Sequence, residues 1–123
     1  MILCNGKPVN YIGEYPIIYI SGGITGVENW QNNFMAAEED IFQRFFAPFH
    51  IVNPVKIAKG LERDFSYKKK KPTYADYMRE DIRQLTKCNA ICMLPNWQKS
   101  KGAKFEHHLA KFLGMTILEY WPS

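Results

Sequence analysis

The fold is decided by residues 90–106, AICMLPNWQKSKGAKFE, which join a short apolar run to a polar loop and the start of a helix. The apolar run Ala90–Leu94 predicts a buried strand, and the helix is expected to begin near Gly102. Glu106 is expected in the first helical turn, where unpaired N–H groups and the helix dipole favour an anion. Because residues 102 and 103 are small, a ligand can approach the backbone there.

The same alternation of strands and helices extends in both directions from this stretch. Further strands are predicted at Pro16–Ile20, Phe49–Val52 and Met115–Leu118, and helices at Glu28–Phe46, Tyr74–Lys87 and Gly102–Leu113. The first of these helices is expected to pack an apolar face on the sheet, with Trp30, Phe34, Ala37, Ile41, Phe42 and Phe45. The predicted fold class is therefore α/β, a Rossmann-like (flavodoxin-like) three-layer sandwich with a four- or five-stranded parallel sheet. The turn residues Asn5-Gly6 also predict a small hairpin between residues 1–3 and 9–11.

Length and composition favour one domain over residues 1–123. The chain has 123 residues, 46% of them hydrophobic, which is enough for one core. No apolar run approaches the ~20 residues of a membrane span, and the first residues lack the features of a secretory signal, so a cytoplasmic location is expected. The three cysteines have no CxxC spacing, and neither a disulfide nor a metal site is predicted. No cofactor is expected.

The net charge of +4 comes largely from the run Lys68–Lys71. Since residues 60–73 have no apolar periodicity, they predict a mobile basic flap at about residues 58–73. Four consecutive lysines more often form a solvated loop than a recognition surface, so nucleic acid is an unlikely partner. A basic nucleic-acid-binding protein remains as one alternative.

Polar residues follow each of the first three predicted central strands. They are the loop Ser21–Gly26, Asn53, and residues 96–100 with Glu106. Ligands of open parallel sheets bind at the carboxyl ends of the strands, so these groups are expected to meet. The glycine loop suits either a phosphate or sugar cradle or a simple strand-to-helix turn.

Several segments resemble one family when they are taken in order. They are YISGGITG (19–26), NP (53–54), YMRED (77–81), CNAI (88–91) and LPNWQKSKGAKFE (94–106). Together they resemble the DUF4406 family of phage and bacterial proteins. That family is similar to the nucleoside 2-deoxyribosyltransferases and the deoxynucleoside 5′-monophosphate N-glycosidases.

The resemblance implies a role for individual residues. Glu106 takes the position of the nucleophile that attacks C1′ of a deoxyribose, and Asp81 that of the group that positions or protonates the leaving base. Ser100 takes the position of a serine that holds the 5′-phosphate. In addition, Trp97 precedes Ser100 in its loop and is a candidate for stacking on a base. The candidate substrate-binding residues are Tyr19, Gly22, Gly23, Thr25, Asn53, Asn89, Trp97, Ser100 and Gly102.

The chemistry of glycosidic cleavage also calls for two carboxyl groups. Glu106 would have to stay ionised, helped by the helix dipole and Lys104, whereas Asp81 would serve as an acid only if burial raised its pKa. Structural roles are open for the same residues. Glu106 can simply stabilise a helix start, Asp81 can pair with Arg83 or Lys87, and Ser100 can be an N-cap.

The expected function is therefore cleavage or exchange of the N-glycosidic bond of a nucleoside or deoxynucleotide. One alternative is a non-catalytic nucleotide-binding sensor or decoy, because the family's usual Cys-Asp or Ala-Asp is here Cys88-Asn89, and asparagine donates no acidic proton. Another is an NAD-type glycohydrolase. A homo-oligomer is expected by analogy with the related enzymes and from the aromatic tail at Trp121.

Overall fold

The computed structural model describes residues 1–46 and 48–122. Within these residues the chain is a mixed α/β protein with six strands and four α-helices. In chain order the elements are β1 (Ile2–Cys4), β2 (Lys7–Pro8), β3 (Ile17–Ser21), α1 (Trp30–Arg44), β4 (His50–Val52), α2 (Pro54–Ser66), α3 (Tyr74–Leu85), β5 (Ala90–Met93), a short 3-10 helix (Trp97–Lys99), α4 (Lys101–Phe112) and β6 (Thr116–Tyr120).

The strands form one sheet in the order β2-β1-β6-β5-β3-β4. Strands β3, β4, β5 and β6 are mutually parallel, whereas β1 is antiparallel to both β6 and β2. The prediction of a wholly parallel sheet is thus corrected, because an N-terminal hairpin adds two antiparallel strands to the sheet next to β6. The predicted hairpin exists, but its second strand is Lys7–Pro8. Asn5 and Gly6 both have positive φ, 53° and 78°, as a two-residue hairpin turn requires.

Both faces of the parallel strands are covered by helices. Successive side chains along a strand point to opposite faces, so each strand contributes to two separate cores. One core joins Ile18, Ile20, Cys92 and Leu118 to Phe34, Ala37 and Ile41 of α1. The other joins Tyr19, Ile91 and Met93 to Leu85 of α3 and to Ala103 and Ala110 of α4. The carboxyl ends of β3 and β5 therefore lie between the two layers of helices.

Helix α1 is shorter than predicted, and Phe42 does not face the sheet. Phe42 is 57% exposed and stacks on Phe49, with 4.9 Å between the ring centroids. The helix buries Phe34 and Ile41, and a residue next to Ile41 points about 100° away from it. The apolar character of Phe42 therefore gave a wrong prediction of its direction.

The predicted basic flap is also corrected, because α2 continues to Ser66. Asn53 begins this helix as its N-cap, and its side-chain Oδ1 accepts a hydrogen bond of 3.0 Å from the Val55 N–H. Pro54 occupies the first helical position, which suits its fixed φ. The run Lys68–Lys71 lies in the turn and the segment without regular secondary structure that join α2 to α3. Helix α2 therefore occupies residues 58–66 of the segment that was predicted to be mobile.

Helix α3 begins with a capping box, in which Thr73 and Asp76 exchange side-chain and backbone hydrogen bonds. It ends at Leu85, two residues before the predicted end. Among the described residues, no helix combines the length and apolar character needed to cross a membrane.

Candidate functional site

Glu106 is the centre of a buried hydrogen-bond network between α4 and β3. Its side chain is 5% exposed. The Tyr19 hydroxyl donates a hydrogen bond of 2.7 Å to Oε2, and the Ser21 hydroxyl donates one of 2.7 Å to Oε1. Tyr19 and Ser21 are two residues apart on β3 and so point to the same face of the sheet. The strand therefore holds both carboxylate oxygens in a fixed orientation.

The position of Glu106 within its helix differs from the prediction. Helix α4 begins at Lys101, with Ser100 as the N-cap whose Oγ accepts a 3.2 Å bond from the Ala103 N–H. Glu106 is therefore in the second turn, where the effect of the helix dipole has already decreased. Lys104 is exposed to solvent. The Tyr19 and Ser21 hydroxyls replace the dipole and the lysine as the groups that stabilise the anion.

The carboxyl group of Asp81 is in a different environment. Asp81 is 6% exposed, and no other described residue donates a hydrogen bond to its carboxyl group. Desolvation by burial, followed by the charges of Glu106 and Glu80, raises the pKa of Asp81 to about 8. The expected structural partner Arg83 pairs with Glu80 instead. At neutral pH Asp81 is consequently the protonated carboxyl group of the two.

Burial also raises the pKa of Glu106, and the hydrogen bonds from Tyr19 and Ser21 act in the opposite direction. Hydrogen bonds from neutral hydroxyls favour the ionised carboxylate. Since Asp81 lacks such donors, the hydrogen bonds favour the ionised form on Glu106 over the ionised form on Asp81. The site thus pairs a carboxyl group that two hydroxyls orient with one that is protonated at neutral pH.

Both carboxyl groups line one cavity of about 860 Å³. Of the predicted site residues, those that line it are Gly22, Thr25, Asp81, Ser100, Gly102 and Glu106. Tyr19 is fully buried and contributes through its bond to Glu106. The carboxyl ends of β3 and β5 do bring together residues that are far apart in the chain, as the pattern of polar loops predicted.

Two glycines line this cavity, and close packing requires the first of them. A Cβ atom on Gly22 would lie 2.9 Å from the Cβ of Leu94, which follows β5. A Cβ on Gly102 would lie 3.4 Å from Met78 Sδ and from the Tyr74 hydroxyl. The first glycine allows the β3 loop to approach β5, whereas a Cβ at the second would make only ordinary contacts with α3.

Asn53 does not reach the cavity. It is 2% exposed, caps α2 and donates from Nδ2 to the Phe34 carbonyl at 3.3 Å and to Glu38 at 3.4 Å. Lys56 completes this group through an ion pair of 3.0 Å with Glu38. The polar groups of Asn53 are therefore occupied in joining α1 to α2.

Asn89 lies at the amino ends of the parallel strands, opposite the cavity. It precedes β5, and its side-chain Oδ1 accepts a hydrogen bond from the Ile17 N–H at the start of β3. Its backbone N–H donates to the Ile17 carbonyl at 3.0 Å. The catalytic candidates lie beyond the other ends of these strands, so the structure does not bring Asn89 to the site.

Trp97 and Gly23 are close to the site without lining the cavity. The Trp97 ring stacks on His107, with 4.2 Å between centroids and 28° between planes. It packs against the core formed by α3, α4 and β5. A Cβ on Gly23 would meet Val27 Cγ2 at 3.0 Å and Ser100 Cβ at 3.9 Å, so this residue supports the loop beside Ser100.

The wall of the cavity that α2 and α3 form was not predicted from the sequence. The Tyr77 hydroxyl donates a hydrogen bond of 2.6 Å to Glu62 Oε2 and thereby joins the two helices. Pro54, Ala58 and Glu62 follow one another at intervals of four residues, as on one face of a helix. This spacing could have predicted the helix, but the segment was interpreted as a flap. The other lining residues not predicted for the site are Ile24, Trp30, Gln31, Tyr74, Met78, Lys99, Lys101 and Ala103.

Comparison with known protein families identifies the chain. The family model of the domain of unknown function DUF4406 matches residues 16–119, most of the sequence. The chain belongs to this family. Comparisons of the DUF4406 chain with curated proteins and with solved structures give no match. In the described part of the DUF4406 chain, no three His, Cys, Asp or Glu side chains are grouped to hold a metal ion.

Proposed function

We propose that this DUF4406 protein binds a nucleoside or deoxynucleotide and cleaves or exchanges its N-glycosidic bond. Glu106 is the nucleophile and Asp81 is the acid at the departing base. The observation that carries the proposal is the unequal environment of these two buried carboxyl groups in one cavity. Glu106 accepts hydrogen bonds from two hydroxyls, whereas burial raises the pKa of Asp81 to about 8. Pairs of carboxyl groups with separated pKa values are typical of a nucleophile and a general acid.

The proposed reaction proceeds in two steps. A Glu106 oxygen forms a bond to C1′, the C1′–N bond breaks, and its electron pair goes to the base nitrogen while Asp81 supplies a proton to the base. Water or the nitrogen of a second base then attacks C1′, the ester bond to Glu106 breaks, and the Asp81 carboxylate takes up the proton of the incoming group. Water gives a hydrolase and a second base gives a transferase.

The sugar and any 5′-phosphate are assigned to the loops after β3 and β5. Ser100, Thr25 and Gly22 line the cavity beside Lys99 and Lys101. Ser100 also caps α4, and a helix N-terminus with nearby cations suits a phosphate. In this arrangement C1′ faces Glu106 and the base faces α3, where Asp81 lies.

We also propose that the parallel strands are a Rossmann-like, flavodoxin-like core of a three-layer sandwich. The order β4-β3-β5-β6 within the sheet and the helices on both faces support this assignment. The cavity then lies where such folds bind nucleotides, next to the first strand of the core.

The direct test is release of free base. The protein is incubated separately with deoxynucleosides, deoxynucleoside monophosphates and NAD, and free base is followed by chromatography, with and without a second base as acceptor. We expect base release or exchange that is lost in Glu106→Gln and in Asp81→Asn. Lys104→Gln, on the exposed side of α4, is the matched control and should retain the activity. Base release that persists in Glu106→Gln would overturn the mechanism, and NAD as the preferred substrate would favour the glycohydrolase.

The sensor alternative loses its main support, because Asn89 joins β3 to β5 outside the cavity. Asn89→Asp should therefore leave the rate of base release unchanged. Nucleotide binding without base release by the natural protein, followed by gain of activity in Asn89→Asp, would restore that alternative.

A further inference from the structure

The cavity contains a second phenol–carboxylate pair that the proposed reaction does not use. The Tyr77 hydroxyl donates to Glu62 Oε2 at 2.6 Å, and both residues line the cavity. Burial and the hydrogen bond to Glu62 raise the pKa of Tyr77 to about 12, so the phenol remains a donor at neutral pH. One oxygen of Glu62 is thereby directed to Tyr77, and the other is left as an acceptor.

The pair lies on the side of the cavity assigned to the base. Tyr77 precedes Asp81 by four residues, one turn and ~6 Å along the same helix. A base whose glycosidic nitrogen is near Asp81 extends from α3 towards α2, where Glu62 lies. The atoms farthest from the sugar are then the ones that meet the Glu62 carboxylate.

We infer, on the basis of the proposed function, that Glu62 selects bases with an amino group at the position farthest from the sugar. These are 4-aminopyrimidines and 6-aminopurines, that is, cytosine and adenine. Their amino N–H groups can donate to the free Glu62 oxygen. Uracil, thymine and hypoxanthine have a carbonyl oxygen at the same position, which cannot donate to Glu62, and two acceptors that face each other repel.

Other groups that line the cavity, from α1 and α3, discriminate less. Gln31 has an amide that both donates and accepts, and Tyr77 is already committed to Glu62. Trp30 and Met78 offer apolar surface that contacts any base. Of these groups, Glu62 is therefore the one whose chemistry distinguishes an amino group from a carbonyl.

The test uses substrates that differ in this one group. Deoxycytidine is compared with deoxyuridine, and deoxyadenosine with deoxyinosine, each with and without a 5′-phosphate, and kcat/KM for base release is measured. The natural protein should prefer the amino member of each pair by at least about tenfold. In Glu62→Gln the amide oxygen still accepts from Tyr77, while its NH₂ group faces the base, so the ratio should fall to about one or below.

Two controls separate base selection from a structural role. Asp64→Asn removes a charge from the same helix at an exposed position outside the cavity and should leave the ratio unchanged. Binding of the four nucleosides to Glu106→Gln is measured by calorimetry, so that the preference is tested without turnover. If Glu62→Gln lowers kcat/KM for both members of a pair equally, Glu62 only joins α2 to α3 and the inference is wrong.

The outcome also distinguishes this inference from the proposed function. Base release with equal preference, or with preference for the carbonyl member, overturns the role of Glu62 and leaves the Glu106 mechanism intact. If no nucleoside or nucleotide binds and no base is released, the proposed function fails, and the selection of bases fails with it.

Discussion

The Tyr19 hydroxyl lies 2.7 Å from Glu106 Oε2, although the two residues are 87 positions apart in the chain. Tyr19 is fully buried on β3, and Glu106 is in the second turn of α4. Burial and the carboxylate raise the pKa of Tyr19 well above its ordinary value, so this phenol stays protonated and donates. The contact holds the proposed nucleophile against the central sheet.

Loss of this donor should change both stability and pH dependence. Tyr19→Phe keeps the ring but leaves Oε2 with one donor fewer, so we expect unfolding free energy to fall by about 1–3 kcal/mol. The pKa of Glu106 should rise further, which moves the acidic limb of the kcat/KM profile to higher pH. The measurements are denaturant unfolding and base release between pH 4 and pH 9. An unmoved acidic limb in both Tyr19→Phe and Ser21→Ala would contradict the role of the two hydroxyls.

Asp81 should make the protein less stable as the pH rises. Its folded-state pKa of about 8 is above the ordinary value of 3.8, so the folded state binds the extra proton between these limits. Stability is therefore fully present below about pH 4, decreases up to about pH 8 and is then constant with respect to this group. Asp81→Asn removes the ionisation and should be more stable than the natural protein at pH 8, by on the order of 5 kcal/mol. Thermal unfolding from pH 4 to pH 9 measures the difference, and parallel curves for the two proteins would contradict it.

The raised pKa of Asp81 also predicts an alkaline limit of the activity. Asp81 must be protonated to donate to the base, so kcat/KM should fall as the pH rises through about 8. With a substrate whose leaving group needs no proton, such as 4-nitrophenyl 2-deoxyriboside, the pH profile should lose this alkaline limb. Retention of the limb with that substrate would assign it to another group.

Gly22 and Gly60 give a matched pair of alanine substitutions. A Cβ at residue 22 would lie 2.9 Å from Leu94 Cβ, and Gly22→Ala should cost about 1–3 kcal/mol and weaken substrate binding. Gly60 lies within α2, and its nearest neighbour would be a flexible Arg63 nitrogen at 4.0 Å. Gly60→Ala should therefore stabilise the protein by about 0.5–1 kcal/mol and leave binding unchanged. Thermal unfolding and a binding isotherm check both. Equal effects of the two substitutions would disagree with the packing described for the β3 loop.

Much of the fold could be predicted because it depends on local patterns. The parallel strands and α1, α3 and α4 were predicted to within a few residues, since buried strands and amphipathic helices have distinct periods. Residues 58–66 of helix α2 were predicted as part of a flap, because Gly60 and the charged residues that follow it conceal the stripe of Pro54, Ala58 and Glu62. The hairpin strand β1 was predicted without its sheet partner, because pairing with β6 joins residues at opposite ends of the sequence.

The sequence by itself determined the parallel strands, the helices α1, α3 and α4, the family, and the residues at the carboxyl ends of the strands, because these depend on side-chain type and spacing along the chain. Only the tertiary structure decided which of those residues share a cavity. It brought Glu106 to Tyr19 and Ser21, left Asp81 buried without a donor, and turned Asn53 and Asn89 to structural contacts elsewhere. The reason is that burial and hydrogen bonding, which set the protonation of the two carboxyl groups, arise from contacts between residues that are distant in the sequence.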